Sequence, residues 1–166
     1  DYVAALLAQV GTDSEKGKRC SFLLWILAER LPVDLLTAYF TPGTIVPLIA
    51  QAGANDARGT DCGAIICTLA ERLSLHQLLV SFTPRDAAAM VAQLDTETTG
   101  GYNCAIALRN IAIKLPSEQR SLYFSPELVA ILQQSWPDRD LDKLCEETLD
   151  LLSSDRQGRS IRCELP

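Results

Sequence analysis

The sequence predicts an all-α fold, an α-solenoid of about three 42-residue repeats with partial repeats at both ends. Three observations predict it. Cys20, Cys62 and Cys104 recur at a spacing of 42 residues, and Phe40, Phe82 and Phe124 keep the same interval. Within each unit the apolar columns 20, 23, 24, 27 and 31, and their equivalents 42 residues on, follow the i, i+3, i+4, i+7 stripe of a helix. The composition is 48% hydrophobic but only 6% aromatic, with Leu, Ala and Ile supplying most of the apolar surface, as in helical proteins. One such unit cannot bury its own apolar faces, whereas stacked neighbours make a continuous core.

The chain begins inside a unit. Leu6, Ala8 and Gln9 fall on Leu48, Ala50 and Gln51, then on Met90, Ala92 and Gln93, which defines a partial repeat 1–16. Gly17, Gly59 and Gly101 open the three whole repeats, 17–58, 59–100 and 101–142. Each starts with a long helix running to Leu31, Leu73 or Leu115. Pro32, Ser74 or Pro116 follows and opens a short second helix, since proline suits a first helical turn. Thr41, Thr83 and Ser125 then stand as N-caps, with Pro42, Pro84 and Pro126 at the first position of a third helix, which in the first repeat ends near Gly53. "CEETLDLL", from Cys145, restarts the long helix one residue early within a partial repeat, 143–166. The glycine-bearing segments "GANDARGTD" and "TETTGGYN" lie between helices and read as inter-repeat turns, not phosphate loops.

At 166 residues the chain fits a single domain. The net charge of −6 gives no field for nucleic acid, which is held by clustered Lys and Arg. No apolar run reaches the roughly 18 residues that span a bilayer, and the start lacks the basic segment of a signal peptide, so a soluble chain without a membrane partner is expected. Equivalent cysteines in units stacked at roughly 10 Å lie too far apart for a disulfide, which needs Cα atoms within about 7 Å. Reduced thiols and an intracellular location, cytoplasmic or nuclear, are therefore expected. No C-x-x-C occurs and His76 is the only histidine, so neither a metal site nor a Ser-His or Cys-His nucleophile is indicated. His76 is expected at the surface. The terminal "CELP" has proline last, which departs from prenylation motifs. No catalytic constellation and no cofactor is implied.

"ALRNIA", Ala107 to Ala112, resembles the "AL-x-NLA" signature in the third helix of armadillo repeats, and "GTIVPLIAQ", Gly43 to Gln51, resembles the sequence of their second helix. The period of 42 fits that family and departs from the ~34 of tetratricopeptide and ~33 of ankyrin repeats. In the family's order, each long helix is the third of its unit. The resemblance implies a right-handed superhelix whose third helices line a concave groove for an extended peptide, with the signature asparagine reaching the peptide backbone. Asn110 matches that asparagine. Ile26 and Thr68 stand at its equivalents, and Phe22, Ala64 and Ile106 replace the usual groove tryptophan, which argues against nuclear localisation signals as cargo.

The function implied is a protein-interaction scaffold without chemistry of its own, as in import receptors, junction adaptors, formin regulatory domains and small-GTPase regulators. The alternative is a regulatory domain of a larger protein, for example a cytoskeletal or small-GTPase regulator, that self-associates through its exposed ends. At about 100° per residue, the candidate partner-binding stripe is Phe22, Ile26 and Arg30, then Thr68 and Arg72, then Ile106, Asn110 and Lys114. Stacking would set Arg30, Arg72 and Lys114 in a basic ladder with steps of roughly 10 Å, suited to acidic side chains or a phosphate on a protein or peptide partner. The other role open to these cations is to complement the dipole of a helix C-terminus, at about 0.3–1 kcal/mol. Glu29 and Glu71 dilute the positive field. Trp25 is either a binding anchor or packing between units.

Overall fold

A computed structural model describes residues 2–12, 14–134 and 139–160, the side chains of residues 139 and 154–160 excepted. The described residues are all-helical. The elements are α1 (Tyr2–Val10), α2 (Glu15–Arg30), α3 (Val33–Tyr39), α4 (Pro42–Ala52), α5 (Ala57–Arg72), α6 (Leu75–Ser81), α7 (Pro84–Val91), a 3-10 turn (Leu94–Thr96), α8 (Thr99–Lys114), α9 (Ser117–Tyr123), α10 (Pro126–Leu132) and α11 (Arg139–Ser160). "CELP" lies outside the described residues.

The long helices α2, α5 and α8 start the same way. Ser14, Asp56 and Thr98 are N-caps whose side chains accept from the amides of Gly17, Gly59 and Gly101 at 3.1, 3.0 and 3.1 Å, each cap worth about 1 kcal/mol. Each helix therefore begins two residues before its repeated glycine. That glycine is required by close approach: a Cβ on Gly101 would stand 2.6 Å from the Gln93 carbonyl oxygen, and one on Gly59 would collide with the Ala54 carbonyl. The helices stop at extended Leu31, Leu73 and Leu115.

Pro32 and Pro116 are the N-caps of α3 and α9, and Ser74 caps α6 through a reciprocal box with Gln77. Pro42, Pro84 and Pro126 open α4, α7 and α10 as the sequence predicts. Thr83 and Ser125 accept from the amides of Asp86 and Leu128. Thr41 differs: it holds the N-cap position of α4 without a side-chain bond. The residue three positions on differs between Thr41 and Thr83, although Ser125 caps with Leu128 at that position. Asp86 takes the Thr83 amide and hydroxyl at 2.7 Å each and so fixes the cap, whereas Thr44 turns its own hydroxyl back to the Tyr39 and Thr41 carbonyls.

The long helices pack in chain order, α2 on α5, α5 on α8 and α8 on α11; a second row runs α1, α4, α7, α10, and α3 touches α6. The rows enclose a core that includes Leu24, Phe40, Leu48, Ile66, Phe82 and Ile111. The crossing of α5 and α8 depends on two facing glycines, since a Cβ on Gly63 would lie 2.6 Å from Gly100 Cα.

One expectation fails in the first repeat. Leu23 belongs to the predicted core stripe, yet it is 49% exposed, while its equivalents Ile65 and Ala107 are fully buried. Those two lie on helices that each have a preceding long helix, and α2 has none among the described residues. Leu27 and Leu31 are half-buried, where Leu69, Leu73, Ile111 and Leu115 are buried.

Among the described residues no single helix is long and apolar enough to cross a membrane. The apolar pair α3 and α4, bent by 83°, carries Leu36, Phe40, Ile45, Leu48 and Ile49 into the core.

Candidate functional site

The cations of the predicted ladder do not share one environment. Arg72 donates from one guanidinium nitrogen to the Ala28 carbonyl and from the other to the Leu31 carbonyl at 2.8 Å. Lys114 donates to the Ala70, Glu71 and Leu73 carbonyls, the first and last at 2.8 and 2.7 Å. Each therefore satisfies the C-terminal carbonyls of the long helix in the preceding unit, where a helix leaves its last acceptors without partners. The capping role weighed from the sequence is present, but it acts across units and not on the cation's own helix. Burial pushes the Lys114 pKa below the ordinary 10.5, while Glu71 opposes the shift. Arg30, in the same register on α2, is exposed.

Other polar bonds also cross between α2 and α5: the Thr68 hydroxyl donates back to Glu29 at 3.2 Å, and the Ser21 hydroxyl donates forward to Asp61 at 2.8 Å. Thr68 is buried; Ile26, Ile106 and Asn110 are half-buried, and Phe22 is 47% exposed. Of the residues predicted to form one stripe, Arg72, Thr68 and Lys114 are thus drawn into the contacts between long helices.

What remains exposed on the long-helix row is Phe22 and Arg30 of the stripe and, one position earlier than its last members, Glu29, Glu71 and Ile113. Phe22 stacks at a tilt on Trp25, ring centroids 5.7 Å apart, and Trp25 is partly buried against the core. Glu29 and Glu71 are exposed, with the half-buried Cys67 between them. The Cys67 thiol is pushed up to about 11 by burial, then by the charges of Glu71 and Glu29. In the third unit Ile106 is half-buried and Ile113 is 47% exposed, while Arg109 Nε lies 2.6 Å from Glu147 Oε2 on α11. The face therefore carries an aromatic pair on α2, isoleucines on α8, and carboxylates in the last turns of α2 and α5. Arg109 is its cation, already paired with Glu147.

Phe22 and Ile106 belong to the stripe expected from the sequence and Trp25 to its possible anchors, but Glu29 and Glu71 enter that expectation only as diluents of the basic ladder. The signal was present: positions 29 and 71 repeat as Glu at the same spacing as the arginines beside them. His76 is exposed in the first turn of α6. Cys20, Cys62, Cys104 and Cys145 are buried and unbridged, and burial first, then neighbouring charges, lifts the Cys62 and Cys104 thiols to about 12.

The chain matches no family model, and comparisons with curated proteins and with solved structures give no match either.

Proposed function

We propose that the chain is an armadillo-type α-solenoid acting as a non-enzymatic scaffold, and that it binds an extended protein segment along the exposed face of its long helices. The single observation that carries the reading is the exposed Phe22 stacked on Trp25, with Glu29, Glu71 and Ile113 exposed in the last turns of α2, α5 and α8. The 42-residue repeat and the ordered row α2, α5, α8, α11 support the solenoid.

The partner that fits this face is apolar with interspersed Lys or Arg. Phe22 and Trp25 offer an aromatic anchor of the kind enriched at interface hot spots, and Glu29 and Glu71 offer acceptors for cations. An acidic segment fits less well, because Arg72 and Lys114 already serve main-chain carbonyls.

The test is selection of binders from a random peptide library on the whole chain, with counter-selection on a Glu29→Lys/Glu71→Lys variant of unchanged circular dichroism. Enriched sequences should be apolar and basic, should quench Trp25 fluorescence and should lose binding to Phe22→Ala. Enrichment of acidic sequences, or of sequences indifferent to these three positions, would sink the reading.

A further inference from the structure

The short helices α3, α6 and α9 carry an apolar register on their outer side. α3 touches α6. The Tyr123 hydroxyl at the end of α9 donates to the carbonyl of Phe82, the C-cap of α6, at 2.6 Å. Ala38, Val80 and Leu122 stand 42 residues apart on these helices and all three are exposed, Val80 by 54% and Leu122 by 67%. Val80 decides what this exposure means. It lies in the middle unit, with α3 on one side and α9 on the other, so the register stays open where both neighbouring units are in place. Leu75 on α6 and Leu35 on α3 add to the exposed apolar surface, while Leu36, Leu78 and Tyr123 take the same helices into the core.

The charges on these helices have one sign. One turn before Ala38, Val80 and Leu122 stand Asp34, His76 and Glu118, all exposed. Arg120 is the one Lys or Arg in α3, α6 and α9, and its guanidinium donates to the Leu115 and Leu151 carbonyls. Arg85 on α7 and Glu127 on α10, at equivalent positions, offset each other.

We propose that this ridge docks an amphipathic helix of another protein. Its apolar face lies against Ala38, Val80 and Leu122, and its Lys or Arg residues flank that face toward Asp34 and Glu118. Exposed apolar surface in a repeated register marks an interaction site, and spacing selects a helix as its occupant. Neighbouring helices stand roughly 10 Å apart, about the rise of two α-helical turns, so one helix laid across the row meets the register at every seventh residue or so. An extended segment would cover the same step in about three residues and turn successive side chains to opposite faces. Charge excludes two other occupants: an anionic membrane is repelled, and a second copy laid ridge to ridge sets Asp34 and Glu118 against carboxylates. The side chains grow from Ala38 to Leu122, so the partner's bulkiest apolar residue belongs over Ala38. The ridge lies on other helices than the long-helix face and does not depend on that reading.

The test is fluorescence anisotropy of the whole chain with a labelled helical peptide of about 16 residues, its leucines on one face and its lysines along one flank. The peptide should bind, and more weakly as salt is added. Val80→Lys and Leu122→Lys, at exposed sites, should keep wild-type circular dichroism and weaken binding by about tenfold or more. Asp34→Lys/Glu118→Lys should lose this peptide and gain the version with Glu in place of Lys. Phe22→Ala should leave binding unchanged. No binding, equal binding of a scrambled peptide that forms no apolar face, or binding lost in Phe22→Ala but kept in Val80→Lys would each overturn the proposal. So would Val80-dependent flotation with phosphatidylcholine vesicles in place of peptide binding, which would assign the ridge to lipid.

Discussion

Lys114 carries more hydrogen bonds to main-chain carbonyls than its surface neighbours because its ammonium sits where α5 ends and three carbonyls have no helical partner. Lys114→Met should cost about 1–3 kcal/mol by urea unfolding, since buried acceptors lose a charged donor. Arg72→Ala should cost about 1–2 kcal/mol on the same grounds, whereas the exposed Arg30→Ala should stay within about 0.5 kcal/mol in the isolated molecule. Equal losses at Arg30 and Arg72 would contradict the assignment of the caps. The buried thiols give a second prediction. Folding raises Cys62 and Cys104 from 9.0 to about 12, and Cys67 and Cys145 to about 11, and it raises Tyr123, whose hydroxyl donates to the Phe82 carbonyl at 2.6 Å. Groups raised on folding contribute stability that is complete below their unfolded pKa and lost as pH climbs through the folded one. The urea midpoint should therefore fall between about pH 9 and 12; Lys114, shifted downward, acts in the opposite sense but is one group against five. A midpoint that rises across that range would be inconsistent with buried, protonated thiols.

Among the elements, the contact of α5 with α8 is the most sterically exacting. Gly63→Ala should destabilise by about 1–3 kcal/mol, because the new methyl meets the backbone of Gly100 and cannot be relieved by a side-chain rotation. Gly43 is the internal control: it lies in the first turn of α4, where the nearest atom to a new Cβ is the Thr41 hydroxyl oxygen at 3.8 Å. Gly43→Ala should be neutral or stabilise by up to about 1 kcal/mol. Thermal melts of the two variants decide between them, and a tolerated Gly63→Ala would mean that α5 and α8 separate more easily than their packing implies. The 42-residue spacing of Gly17, Gly59 and Gly101 was readable in the sequence. The facing of Gly63 and Gly100 was not, because their positions in the repeat are unrelated and only the helix crossing brings them together.

For the whole molecule, packing is lopsided: α5 and α8 have a long helix on both sides, and α2 has one on one side among the described residues. In the stacked-repeat arrangement proposed above, stability is close to a sum of units and nearest-neighbour interfaces, so protection should follow this order. Native-state hydrogen exchange in dilute solution should be slowest in α5 and α8 and faster in α2 and α1, which open with part of the global free energy. Uniform protection along the chain would instead mean a single cooperative unit.

The sequence by itself determined the helices, their order, their proline starts and, in α5 and α8, the columns of their core, because a period of 3.6 residues inside a period of 42 is local information that each unit carries in full. Even the N-caps at Ser14, Asp56 and Thr98 lie in register. What only the tertiary structure decided is which way each surface column looks. Arg30, Arg72 and Lys114 are one column in the sequence, yet two of them reach into the preceding helix and the third faces outward. Leu23, Ile65 and Ala107 part in the same manner. The physical reason is that burial and hydrogen bonding belong to a pair of neighbouring helices, so identical positions acquire different environments where, among the described residues, no long helix precedes.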